Sequence, residues 1–211
     1  MYEPAAAATD WLLTAVCAAL GAWCATRRRR PWAAAYAVLS SGAAAGALYH
    51  GELKPTRHEP AAWTAVSFLV AAGMLALYLA SAAELGALRR RSWAALGALS
   101  AAALAGGLAG GLRTLGPLVA TQAGAMGGIV ALWTRAWRAK EPGAAWFCGA
   151  MAASAAAAAV RALPVEFRLF WVWNHDALYH LAQIPGLLLI ARGVHARSEA
   201  ATNDHPLGLQ Q

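Results

Sequence analysis

Residues 171–191 read WVWNHDALYHLAQIPGLLLIA. Trp171 and Trp173 come first, then Asn174, His175, Asp176, His180 and Gln183, then an uncharged apolar run. Tryptophan favours the headgroup level of a bilayer, where its ring is half wet. An uncharged run behind such a belt reads as the start of a membrane helix. Asp176 and His180 stand at i and i+4, so they share a helical face, and Gln183 continues it. Asn174 is placed to cap the helix, which puts His175 and Asp176 in its first turn. Ionisable groups at a membrane segment are costly and mark function.

The rest of the chain has the same character. It is 60% hydrophobic and 13% charged, where a soluble domain is roughly 25% charged. A mean hydropathy of +0.45 is held down by abundant alanine and glycine. The charges cluster between long uncharged runs, as in a polytopic membrane protein. Seven spans are expected, at 11–26, 32–52, 61–83, 92–111, 115–137, 143–163 and 176–191. The expected fold is therefore all-α, a single seven-helix transmembrane domain over 1–197 with a polar, mobile tail at 198–211. The acidic start MYEPAAAATD lacks the basic region of a signal peptide, so the first span is expected to be retained.

Charge sets the expected orientation. With the N-terminus outside, 12 of the 17 Lys and Arg residues fall on the inner side and 5 on the outer. That asymmetry favours N-out, C-in, and an odd number of spans. All 10 tryptophans lie near an expected helix end. The net charge of +7 is thus a matter of topology, with no nucleic-acid partner implied. The expected location is a bacterial inner membrane. Cys17, Cys24 and Cys148 form no CxxC and read as small buried hydrophobes. GGLAGG at 106–111 and GAMGG at 124–128 read as sites of close helix approach.

This topology brings polar groups together. The second span ends in GALYHGE, placing His50 and Glu52 near the outer face, where the seventh span begins. Imidazole suits zinc, and a catalytic zinc takes three protein ligands and keeps one open position. His50, His180 and either His175 or Asp176 would supply three. Glu52 or Asp176 would then take a proton from bound water. His50 lies close to the outer edge while His180 is five residues in from His175, about 7 Å at 1.5 Å rise per residue; a longer second helix or a tilt can close that gap. Two other readings use the same histidines. His50 and His180 could be axial ligands of haem in an electron carrier. They could also serve proton coupling or packing in a non-catalytic transporter or assembly partner.

A histidine late in the second helix and a histidine pair opening the seventh resemble the CREST superfamily. That group includes the alkaline ceramidases and the progestin/adiponectin-receptor relatives. NHDALYHLAQ at 174–183 is also similar to a group of bacterial membrane proteins. The resemblance implies a zinc-dependent hydrolase acting on a lipid amide or ester at the outer leaflet. It implies a ligand set of one helix-two histidine and an HxxxH pair from helix seven. Carried onto this chain, the metal would be held by His50, His175 and His180, with Asp176 as fourth ligand or beside them. Three departures stand out. Asp176 occupies the first position of HxxxH, with His175 one residue off. Gly46 stands where the family has serine, four residues before His50. The third span holds no aspartate.

Overall fold

Alanine-rich segments, several opened by proline, build most of the fold. The computed structural model describes residues 1–87 and 116–203. In chain order these form α1 (Pro4–Thr26), α2 (Arg30–Leu48), a π-helical turn (Tyr49–Leu53) and α3 (Glu59–Glu84). Then come α4 (Gly116–Arg138), α5 (Ala144–Ala162), β1 (Glu166–Arg168), β2 (Val172–Asn174) and α6 (His175–Asn203). Pro4, Pro31 and Pro60 stand in the first turn of α1, α2 and α3. Proline fits there because its missing N–H would have no intrahelical partner and its φ is already helical.

Among the described helices, each packs on the next, and α6 returns to α1 to close a ring. The ring is filled by Trp32, Tyr36, Trp133, Phe147 and Val194, all fully buried. Trp133 and Phe147 stack with centroids 3.5 Å apart and planes 5° from parallel. The ring of Phe147 lies against Gly193, where a Cβ would come within 2.6 Å of it. Gly143 opens α5 at φ +77°, and a Cβ there would meet the Gly193 carbonyl oxygen at 2.5 Å. No residue with a side chain fits such a place without strain.

Among the described residues, four helices are long and apolar enough to cross a membrane: Pro4–Thr26, Glu59–Glu84, Ala144–Ala162 and the His175–Thr202 part of α6. The other two described helices have the length but not the hydropathy, α2 being rich in alanine, glycine and serine. The fold is thus helical and compatible with a membrane, with six described helices where seven spans are expected from the sequence. The expected span at 92–111 lies outside the described residues. Two bounds differ markedly from expectation. α1 begins at Pro4 rather than 11, and α6 runs on through Asn203, into the stretch read as a tail.

At one end of the ring, Glu84 ties three elements together. Its Oε1 lies 3.3 Å from both Arg29 Nη1 and Arg197 Nε, and its Oε2 accepts from Trp32 Nε1 at 3.0 Å. The starts of α1, α3 and α6 and the π-helical turn meet at the other end, which carries the candidate site.

Candidate metal centre

Asp10, His50 and His180 converge from α1, the π-helical turn and α6. Each offers one ligand atom, and the three atoms lie within 4.8 Å of one another. His180 Nδ1 is 3.3 Å from Asp10 Oδ1. The imidazoles of His50 and His180 meet edge to face, with centroids 5.9 Å apart. The side chain of Asp10 is 5% exposed and that of His180 12%.

Local structure explains the convergence. α1 extends back to Pro4, which carries Asp10 almost two turns into the helix. The next helix makes room for it. A Cβ on Gly46 would stand 2.6 Å from Asp10 Oδ2, so the carboxylate occupies the space a side chain on α2 would take. The π-helical turn at Tyr49–Leu53 adds a residue to one helical turn and re-aims His50; such turns recur at functional sites. The N-terminal segment pairs with it, Tyr2 N donating to Gly51 O at 2.9 Å and Glu3 N to His50 O at 3.0 Å.

Hydrogen bonding also assigns ring protons. Glu3 Oε2 lies 2.5 Å from His50 Nδ1, and Glu3 Oε1 accepts from Lys54 Nζ at 2.6 Å. The bond from His50, followed by Lys54, outweighs partial burial and lowers the Glu3 carboxyl from 4.5 to about 2. An ionised carboxylate can only accept, so Nδ1 of His50 carries the hydrogen and Nε2 is left to bind a ligand. A carboxylate on the far nitrogen of a histidine is the usual support for a metal ligand. At His180, Thr9 Oγ1 stands 3.3 Å from Nδ1 while donating to the Ala5 and Ala6 carbonyls at 3.0 Å. Thr9 is therefore an acceptor toward the ring.

The donor set fits a small divalent cation. Two ligands on a tetrahedral zinc stand about 3.3 Å apart, the spacing found between His180 and Asp10. The widest pair, at up to 4.8 Å, must close by at most about 1.5 Å to match. Asp10 Oδ2 is buried without a hydrogen-bond partner, and such an oxygen is costly unless a proton or a cation satisfies it. A proton on His180 Nδ1 and a cation are alternative occupants of the gap to Asp10, so a metal bound at Nδ1 would require the ring hydrogen on Nε2.

The residues singled out by sequence divide. His50 and His180 come together. His175 stays outside the group, its side chain 40% exposed and its Nε2 3.7 Å from Asp176 Oδ1. Asp176 is engaged by a guanidinium instead, its Oδ1 2.7 Å from Arg161 Nη1. Glu52 is exposed. Asn174 caps α6, its Oδ1 accepting from Ala177 N at 3.1 Å. Asp10 was missed, and the signal for it was Pro4. A proline followed by alanines starts a helix early enough to bring Asp10 inside it.

Among known proteins, no curated protein and no solved structure matches the chain. A family profile does match, over residues 5–199, a stretch that includes Asp10, His50 and His180. The chain therefore belongs to DUF6962, described as a family of unknown function.

Proposed function

We propose that this chain is a membrane-embedded metallohydrolase, with zinc held by Asp10, His50 and His180 and an amide or ester of a bilayer lipid as its substrate. The observation that carries the reading is the buried Asp10 carboxylate, unpartnered at Oδ2 and flanked by two histidines from other elements. Two imidazoles and a carboxylate leave a tetrahedral zinc one open position, the arrangement of catalytic rather than structural sites. Zinc there lowers the pKa of bound water to about 7 and polarises a carbonyl. His50 is fixed in its binding tautomer by Glu3. The resemblance to CREST hydrolases supports the two histidines. In this chain Asp10 takes the place of the third, and Gly46 replaces serine because Asp10 needs the space. The basic-residue asymmetry supports seven spans, N-out and C-in, in a bacterial inner membrane, with the centre facing the outer leaflet. A carboxylate beside both histidines favours a small cation over haem, whose porphyrin needs the space around its axial ligands.

The test is turnover of a panel of fluorogenic lipid amides and esters by zinc-loaded protein in nanodiscs. Hydrolysis should stop on chelation, return with zinc and be absent in His50→Ala. Zinc-loaded, folded protein that turns over nothing in the panel would point to a binding role. A Soret band in the purified protein would point to haem.

Glu3 offers a separate check. Glu3→Gln keeps the shape and removes the charge, and should weaken zinc binding about 10–100-fold. In metal-free protein the depressed carboxyl contributes stability that is fully present above 4.5 and lost as pH falls through about 2. The melting temperatures of the parent and Glu3→Gln should therefore differ at pH 6 and converge toward pH 2. A gap that stays constant over that window would show that Glu3 is not held by His50 and Lys54.

A further inference from the structure

The hairpin between α5 and α6 presents an apolar tip that no other described element covers. β1 and β2 pair antiparallel, with Phe167 opposite Trp173 and Arg168 opposite Val172. The tip is Leu169, Phe170 and Trp171, closed by Leu169 N donating to Trp171 O at 3.1 Å. Phe170 is 93% exposed and Leu169 58%. An apolar cluster of this kind marks an interaction site.

The base of the hairpin is anchored. The rings of Phe167 and Trp173 are near parallel, 6° apart with centroids at 6.2 Å. Trp173 packs on Ala5, Ala6 and Ala177, the starts of α1 and α6. The backbone pairing and this packing anchor the base of the hairpin and leave the tip exposed.

We propose that this tip is seated in the headgroup–acyl boundary of a phospholipid bilayer. The proposal rests on reading α5 and α6 as membrane spans, and it is independent of the metal centre. Three observations select lipid as the occupant. The hairpin joins two helices that are each able to cross a membrane, so connectivity sets it at the bilayer surface. Its tip combines tryptophan with fully apolar side chains, the composition favoured at that depth. Arg168 stands beside the tip, and arginine there can extend toward phosphates while its stem lies along apolar chains. The same strand runs directly into His175 and the helix that carries His180.

The experiment places a nitroxide on Phe170→Cys, in a background of Cys17→Ala, Cys24→Ala and Cys148→Ala, reconstituted in phospholipid nanodiscs. A second label goes on Thr56→Cys, in the exposed polar turn before α3 at the same end of the ring. Collisions with oxygen should exceed those with a water-soluble nickel chelate at 170, and the order should reverse at 56. Equal nickel access at both positions would overturn the proposal. So would dipolar broadening at 170, which would mean that a second copy covers the tip. Trp171→Phe serves if the cysteine variants fail to fold. The emission it removes from native protein should be blue-shifted and quenched by brominated phospholipids; emission quenched by iodide instead would overturn the proposal.

Discussion

Zinc-loaded and freed of excess metal, the purified chain will hold about one zinc per polypeptide, since three protein ligands and an open position make one site. Asp10→Asn, His50→Ala and His180→Ala will each release it. Loss of a group that merely supports a ligand costs about 10–100-fold in affinity, so loss of a ligand should exceed the upper end of that range. Asp10→Asn is the most informative of the three. It keeps the volume and removes only the charge, so the packing at Gly46 is preserved. His175→Ala is the contrast, because its side chain lies outside the group. Metal content measured beside circular dichroism separates loss of zinc from loss of fold. If Asp10→Asn keeps zinc while His175→Ala loses it, the centre is built on the histidines of α6 and Asp10 has no part in it.

The second large effect is expected where no ligand is touched. Gly46→Ala adds a methyl 2.6 Å from Asp10 Oδ2, where ordinary contact begins at 3.4 Å. The carboxylate must therefore move by about 0.8 Å, while a metal site tolerates about 0.2 Å in its ligand distances. Zinc binding should fall as it does in Asp10→Asn. Stability should change far less. Overpacking costs about 1–3 kcal/mol, and replacing a helical glycine by alanine returns about 1 kcal/mol of that. Isothermal titration with zinc and a thermal melt on the same sample would check both halves. Tight zinc binding by Gly46→Ala would mean that Asp10 is not a ligand.

His50 and His180 could be read from sequence because each is a polar residue at the edge of an apolar run, where its cost demands a reason. Asp10 could not be read the same way. It belongs to MYEPAAAATD, whose acidic character suggests a solvated flank, and only the early helix start at Pro4 brings it inside. The i, i+4 spacing of Asp176 and His180 rightly puts both on one face of α6. Spacing cannot show that Arg161, on a different helix, claims the carboxylate. The hairpin escaped notice because its strands are three residues each, too short for an alternation pattern to register. Gly46 shows the reverse case. The glycine four residues before His50 is visible in sequence, but the use of its missing side chain is visible only when Asp10 is seen beside it.

The ring closure of α6 on α1 sets an order of events during biosynthesis. Asp10 lies on the first described helix and His180 on the last, separated by most of the polypeptide. No nascent chain that stops short of α6 can assemble the three donors. A cation held there would be acquired only after α6 has docked, and its binding energy would then hold α1 and α6 together. The centre would act as a latch that closes only on a chain whose α6 has docked on α1.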